Sequence, residues 1–328
     1  MKNYYIIKNG ILKREKNTVY FEGKDCKKFI PINDINSLFI FGEIKINTKL
    51  LVFLSKNKVP IHFFNYYNFY IGSFYPKEYL NSGIVIVKQV EHYLDPEKRM
   101  KIAMEIVNSS VFNMIKNLKY YLKHGKELRN FIDKIQALKE RIEKTKSIEE
   151  LMGIEGPCRE NYYLAFNEFL RSNFKFNNRT KQPPENEINC LISFGNTLLY
   201  TTCLTEIYNT QLNPTISYLH EPLERRFSLA LDIAEIFKPL IVDKVIFNLI
   251  NNRFVNESCF DKQLNFCYLN EKGKRIFLQK YDEKLRTTIY HKELKRKISY
   301  QHLIRIECYK LIKHLLNDKE FEGFKAWW

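Results

Sequence analysis

Asp232 and Glu235 stand three residues apart in the run Ser228-Leu229-Ala230-Leu231-Asp232-Ile233-Ala234-Glu235-Ile236-Phe237. At helical spacing this puts both carboxylates on one face, about a turn apart, with Leu229, Leu231, Ile233 and Phe237 as apolar cover. Two carboxylates in such surroundings repel each other unless they are protonated, paired or bridged by a cation. Mg²⁺ or Mn²⁺ removes that repulsion; both favour oxygen ligands, and Mn²⁺ also accepts imidazole. Taken alone, the pair is more often a solvated face or the partner of a neighbouring arginine. His220, in Tyr218-Leu219-His220-Glu221-Pro222, adds the commonest type of metal-ligating side chain. A lone histidine is nonetheless more often a hydrogen-bonded core or surface residue. Glu155 has Gly153 and Gly156 close by and Pro157 after it. The glycines allow close backbone approach, and Pro157 is suited to begin a new helix whose N-terminus favours an anion. The alternative is a kinked helix with an exposed glutamate.

These side chains need elements to hold them. Up to about residue 84 the chain is rich in β-branched and aromatic residues. Tyr4-Tyr5-Ile6-Ile7, Asn9-Gly10 and Ile11-Leu12 predict a hairpin with a type I′ turn. Further strands are predicted at Thr18–Phe21, Ser37–Phe41 and Ile61–Phe64, and a short helix from Leu50 to Lys56. Asn81-Ser82-Gly83 reads as a linker. Beyond it the pattern is helical. Asp95-Pro96 combines an N-cap with proline at the first helical position, and Gly125 offers a stop. Lys126 to Lys146 reads as a more polar helix, and Ser147-Ile148-Glu149-Glu150 matches a capping box. Long helices are predicted over Glu187–Asn209 and Phe227–Phe237, the second stopped by Pro239. The fold class is thus α+β: a small β-rich N-terminal domain, 1–84, then a larger all-helical domain, 85–328, that carries the candidate catalytic residues. The residues after Asn317 read equally as a loose tail or a docking peptide.

Composition narrows the partners. Fifty-three Lys and Arg against 37 Asp and Glu give a formal net charge of +16, an excess that favours a polyanion such as nucleic acid. No apolar run approaches the ~18 to 20 residues that span a bilayer, so a membrane is not the expected partner. The seven cysteines form no Cys-x-x-Cys pair, which argues against structural zinc or a disulfide framework and for the cytoplasm. Arg225, Arg226 and Lys238 flank the carboxylate helix and suit phosphate, or are ordinary solvated and helix-terminal charges; Arg159 and Lys181 are weaker phosphate candidates. Lys284 to Lys297 reads as a basic track for a duplex backbone or as an exposed helix face.

Taken in order, the segments resemble the CRISPR-associated integrase family, the endonuclease-integrase subunit of CRISPR adaptation. Gly153-Ile154-Glu155-Gly156 matches its Glu-Gly motif, and Asn213-Pro214 through Leu219-His220 matches its turn followed by Leu-His. Ser228 to Pro239 matches its carboxylate helix, and Pro183-Pro184 with Asn189 to Phe194 matches a Pro-Pro and Asn-x-Leu-Leu-Ser-Phe stretch. The resemblance runs from Gly10 to about Asn252. It implies Glu155, His220 and Glu235 as ligands of a divalent metal, Mg²⁺ or Mn²⁺. Asp232 is implied as a nearby catalytic carboxylate that ligates or orients, the division of work with Glu235 being open. It also implies a homodimer formed through the N-terminal domains, and a small ferredoxin-like second adaptation protein as partner. The implied reaction inserts a short duplex, the prespacer, into a CRISPR repeat by attack of a 3′-hydroxyl on a phosphodiester. The rival readings are a stand-alone metal-dependent nuclease for branched or single-stranded nucleic acid, and a non-enzymatic DNA-binding scaffold.

Overall fold

The computed structural model describes residues 1–77, 80–171, 173–223, 227–263 and 266–327. The chain divides into two compact units, Met1–Tyr79 and Leu80–Trp328.

The first unit holds two four-stranded sheets. One orders β1 (Lys2–Ile6), β5 (Ile35–Ile40), β7 (Ile61–Phe64) and β8 (Tyr70–Phe74) side by side. The other orders β4 (Lys27–Pro31), β3 (Thr18–Gly23), β2 (Gly10–Glu15) and β6 (Ile44–Ile46). With α1 (Thr48–Lys56) they close one apolar core that includes Leu12, Val19, Leu38, Leu50, Leu54 and Ile61. The strands and the helix near Leu50 lie where β-propensity and periodicity place them.

The Asn9-Gly10 hairpin does not form. β1 pairs in parallel with β5, whereas β2 pairs with β3 and β6 in the other sheet. Asn9-Gly10 is instead a crossing between sheets: the Asn9 side chain accepts the Glu43 N–H at 2.9 Å, and the Gly10 N–H donates to the Glu43 carbonyl at 3.0 Å. A Cβ on Gly10 would stand 2.4 Å from the Glu22 carbonyl oxygen. The glycine therefore serves close approach to β3, a use that local turn chemistry cannot distinguish from a turn.

The second unit is largely helical. Its first helices are α2 (Gly83–Leu94), α3 (Pro96–Lys123), α4 (Arg129–Lys139), α5 (Ile148–Leu164) and α6 (Phe166–Phe169). They are followed by α7 (Glu187–Tyr208), α8 (Ser228–Phe237) and α9 (Val242–Asn251). Asp95 caps α3 by accepting the N–H groups of Glu97 and Lys98, and Gly125, at φ 79°, follows its end. The capping box at α5 is displaced by one residue. Ser147 accepts the Glu150 N–H, but the Glu150 carboxylate takes the N–H of Lys146 rather than that of Ser147. α7 is buried on nearly every side, so it lacks the one-sided stripe of a surface helix.

Several expectations are corrected here. The polar helix expected over Lys126–Lys146 is shorter, α4 followed by a single 3₁₀ turn at Ile142–Lys144. Pro157 starts no helix; it lies inside α5, so no helix N-terminus faces an anion there. Two small hairpins interrupt the helical unit: β9 (Phe260–Gln263) with β10 (Phe266–Leu269), and β11 (Thr288–His291) with β12 (Arg296–Ser299). Lys284–Lys297 is therefore not one helix face: it begins in the last turn of α10 (Glu271–Arg286) and ends in β12, ahead of α11 (Tyr300–Leu315). The β-branched Thr288, Ile289 and Ile298 favour this pairing over the helix that the lysine spacing suggests.

The C-terminal segment docks. Phe321 and Phe324 are buried, and Asn113 of α3 binds the tail with both ends of its amide, donating to the Phe324 carbonyl at 2.9 Å and accepting the Ala326 N–H at 3.0 Å. Among the described residues, no helix is long and apolar enough to cross a membrane.

Candidate active site

His220 sits in the loop before α8, and its position is set by backbone bonds to one carboxylate. Asp232, wholly buried in α8, accepts the N–H groups of Tyr218 at 2.7 Å, Leu219 at 3.0 Å and His220 at 3.0 Å. Its Oδ1 also meets the His220 Nδ1 at 2.7 Å. Three further residues hold the loop. Ser217 donates to the His220 carbonyl at 2.6 Å, and Arg99 Nε donates to the Tyr218 carbonyl at 2.9 Å. Gln89, buried in α2, exchanges bonds with Asn213, donating to its carbonyl at 3.1 Å and accepting its N–H at 2.7 Å. Burial pushes the His220 pKa down, but the hydrogen bond and charge of Asp232 outweigh it and leave the imidazole above its ordinary value.

Glu235 lies one turn further along α8, on the other side of the chemistry. It is bonded to Arg159 through Oε2 and to Lys238 through Oε1. Arg159 Nε also donates to Glu155 Oε1 at 2.6 Å, one turn back along α5, and its Nη2 reaches Ser110 Oγ at 3.1 Å. One guanidinium thus joins the two glutamates. Burial would raise the Glu235 pKa, yet the charges of Arg159, Lys238 and His220 hold it at about 2. Arg159 itself is driven well above its ordinary value: burial lowers it, and the charges of Glu155 and Glu235 more than reverse that.

Glu155, Arg159 and Lys238 face a cavity of about 570 Å³ that Arg179 and Lys181 also line. Arg179 is fixed by the start of α7, donating to Asn189 Oδ1 at 3.0 Å and to Ser193 Oγ at 2.9 Å, and it also bonds the Thr180 carbonyl. Asn189 in turn donates to the Asn178 carbonyl at 2.8 Å, so the segment before Pro183-Pro184 is tied to α7. Burial, then the charges of Arg179 and Lys238, lowers the Lys181 pKa. Such a set of partly desolvated cations suits an anion that would share the cavity.

The expected site residues are therefore brought together in part. Glu155 and Glu235 meet, but at Arg159, which makes this arginine a partner of the carboxylates rather than a free phosphate contact. Lys238 is likewise bonded to Glu235. His220 and Asp232 form a second pair, near enough for Glu235 to act on the imidazole. Among the described residues, no three His, Cys, Asp or Glu side chains are gathered closely enough to hold a metal ion. Arg225 and Arg226 lie outside the described residues. Arg179, Gln89, Arg99 and Ser110 were not singled out from the sequence; Asn178-Arg179-Thr180-Lys181 has two cations before Pro-Pro, a signal available for Arg179.

Fold and site together define an α+β protein whose helical unit holds a carboxylate–arginine cluster, an aspartate-fixed histidine and a cationic cavity. The chain belongs to the family described as CRISPR associated protein Cas1, whose model matches residues 4–283. It is 52% identical to a CRISPR-associated endonuclease Cas1 of Thermodesulfovibrio yellowstonii over 329 residues, covering 100% of each chain. It is 48% identical to a CRISPR-associated endonuclease Cas1 of Fusobacterium nucleatum, covering 100% of this chain and 97% of that one. The structure resembles that of a Cas1 protein from Thermotoga maritima with a TM-score of 0.89 at 44% identity, covering 99% of this chain and 100% of that one. It also resembles a casposase bound to integration product, with a TM-score of 0.87 over 100% of this chain and 97% of that one. At 19% identity that likeness is one of fold alone.

Proposed function

We propose that this chain is a divalent-metal-dependent DNA endonuclease and integrase that joins short duplex DNA into a CRISPR array. The observation that carries the reading is the meeting of Glu155 and Glu235 at one cationic group, beside an imidazole whose Nδ1 is committed to Asp232. The donor chemistry suits Mg²⁺ or Mn²⁺: two carboxylates supply oxygen, and the His220 Nε2 is left to face a ligand. Because Asp232 already accepts four hydrogen bonds, it orients the imidazole rather than binding metal. Glu155, His220 and Glu235 are then the ligands, with Arg159 yielding its place between the glutamates.

When bound, such a cation supplies neutralisation of charge growing on the phosphate and an aligned, more acidic hydroxyl or water. The rest falls to the chain. Arg179, Lys181 and Lys238 bind and orient the phosphodiester in the cavity that they line. In joining, the prespacer 3′-oxygen forms a bond to the repeat phosphorus while the bond from that phosphorus to its former 3′-oxygen breaks. With water in place of the hydroxyl the same site cuts, in keeping with the endonuclease names of the curated relatives. No protein nucleophile is needed.

The partners follow from the surface and the relatives. A net charge of +16 suits duplex DNA, both prespacer and repeat. Homodimerisation through the first unit is part of the same reading, as the family resemblance implies. A structural relative is found in a Cas6-RT-Cas1–Cas2 complex, which supports the small second adaptation protein, Cas2, as partner here.

The test is incubation of the purified chain with short duplex DNA and a repeat-containing plasmid, with and without the second adaptation protein and Mn²⁺. Joined product requiring both additions supports the proposal. Metal-dependent cutting without joining favours the stand-alone nuclease, and metal-independent binding without chemistry favours the scaffold.

A further inference from the structure

Beneath the carboxylates lies a second group of polar atoms that the proposed chemistry does not use. Asp243, at the start of α9, is wholly buried; the Tyr162 hydroxyl is the donor beside it, and among the described residues no cation forms an ion pair with it. Arg159 Nη1 is buried without a carboxylate acceptor, although Nε and Nη2 of the same guanidinium are engaged by Glu155, Ser110 and Glu235. The buried Tyr163 hydroxyl, one turn along α5, is the neutral group beside that guanidinium. The groups lie in one electrostatic neighbourhood: the Arg159 charge acts on both Asp243 and Tyr163, and the Asp243 charge acts on Tyr162 and Tyr163. Burial raises the Asp243 pKa to about 7, the charge of Arg159 opposing it, so a buried carboxyl group without a cation of its own lies near a guanidinium whose third arm has no carboxylate.

The same arginine has a second difficulty. A dication bound to Glu155 and Glu235 takes the oxygens that Arg159 holds, and two cations on one carboxylate pair repel. Lys238 lines the open cavity and can turn towards bound phosphate or solvent. Arg159, only 14% exposed, has no such exit and needs a counter-charge inside the protein.

We propose that Asp243 is the alternate acceptor of Arg159, receiving its guanidinium when a divalent cation occupies Glu155 and Glu235. Arg159 then acts as an internal stand-in for the metal: it neutralises the glutamates in the metal-free state and withdraws to α9 in the loaded state. The inference rests on the metal reading above. Asp243 is a positioning residue in this scheme, since it touches neither substrate nor metal.

The experiment is a Mn²⁺ titration of the full-length chain, with free Mn²⁺ read by electron paramagnetic resonance, for the wild type, Asp243→Asn, Arg159→Gln and the double variant. Asp243→Asn weakens Mn²⁺ binding at least 10-fold when Arg159 is present, because the guanidinium loses its charged berth. In the Arg159→Gln background the same change shifts affinity less than 2-fold. Equal affinity for wild type and Asp243→Asn overturns the proposal, as would be found if a fixed internal water satisfied the group. An equal loss in both backgrounds also overturns it, since that loss would be a direct field effect of the Asp243 charge. If the wild type binds no Mn²⁺, the metal reading falls and takes this inference with it. Wild-type binding that is lost in Glu235→Gln but insensitive to Asp243 sinks the inference alone. Should Asp243→Asn fail to fold, the wild-type crystal structure with Mn²⁺ decides: Arg159 within hydrogen-bonding distance of Asp243 supports the exchange, and Arg159 still on the two glutamates overturns it.

Discussion

The 2.7 Å hydrogen bond between His220 Nδ1 and Asp232 Oδ1 sets which nitrogen of the imidazole donates, because the same carboxylate group accepts every other hydrogen bond it makes. Nδ1 is thereby committed and Nε2 is the nitrogen open to a ligand; since the His220 pKa is raised, a metal binding there would displace a proton from Nε2. The same carboxylate folds the preceding loop by accepting three backbone N–H groups. Asp232→Asn retains the shape but puts an amide N–H₂ among those donors. We expect a 10- to 100-fold loss of metal-dependent cutting or joining, as when a partner of a metal-ligating histidine is removed. Stability should also fall by about 2–4 kcal/mol, since buried donors are left facing a donor. Single-turnover rates and chemical denaturation read the two effects. Unchanged values for both would show that Asp232 neither holds the loop nor orients His220.

The first unit carries a separate pH dependence. His62 is fully buried in β7, its Nδ1 2.6 Å from Ser73 Oγ, and burial lowers its pKa from 6.5 to about 3. The unfolded chain therefore binds a proton near pH 6.5 that the folded chain refuses until about pH 3. The associated stability is complete above pH 6.5 and is lost as pH falls towards 3, a difference of about 5 kcal/mol at 1.36 kcal/mol per pH unit. His62→Gln should unfold with a shallower dependence on pH between 6.5 and 4 than the wild type, as measured by urea denaturation. Parallel curves for the two proteins would rule out His62 as the source.

Much of this architecture was legible in the sequence, for identifiable reasons. Asp95-Pro96 and Ser147 are local caps, and local rules place them correctly. The run from Ser228 to Phe237 forms a helix because its apolar spacing and Pro239 leave little else for it to form. What failed was non-local. Asn9-Gly10 has the chemistry of a turn, but the pairing of β1 with β5 is decided by residues some thirty positions away. The site was legible as residue types and not as bonds. Glu155, His220, Asp232 and Glu235 were all singled out, yet the guanidinium that joins two of them comes from Arg159, on a different element from Glu235. Gln89 was invisible because a glutamine inside an apolar helix carries no signal until the loop that it holds is seen.

Gly195 marks where α7 meets α9, the helix that begins beside Asp243. A Cβ there would lie 2.5 Å from Val242 Cγ1 and 3.0 Å from Phe277 Cζ. Both neighbours are buried, and Phe277 is among the largest fully buried side chains, so neither yields freely. Gly195→Ala gains helix propensity but overpacks the contact. The net expectation is a destabilisation of about 1–3 kcal/mol. A melting temperature equal to or above that of the wild type would show that α9 shifts without cost.

Lys181 offers the cleanest test of phosphate binding in the cavity. Among the cavity cations it differs from Arg159 and Lys238, which are bonded to carboxylates, and from Arg179, which holds the segment before α7 in place. Replacing any of those three changes the site as well as the charge. Lys181→Gln removes a charge with little structural consequence, so the fold and the Mn²⁺ affinity should stay close to wild type. If its ammonium displaces one counterion from the duplex backbone, the slope of log K against log salt becomes shallower by about 1. Affinity at low salt falls, while discrimination between sequences is unchanged, because a phosphate contact carries no base information. Fluorescence anisotropy with a labelled duplex across a salt series measures all three quantities. A slope identical to that of the wild type would place the DNA backbone outside this cavity and remove the assigned role of Lys181.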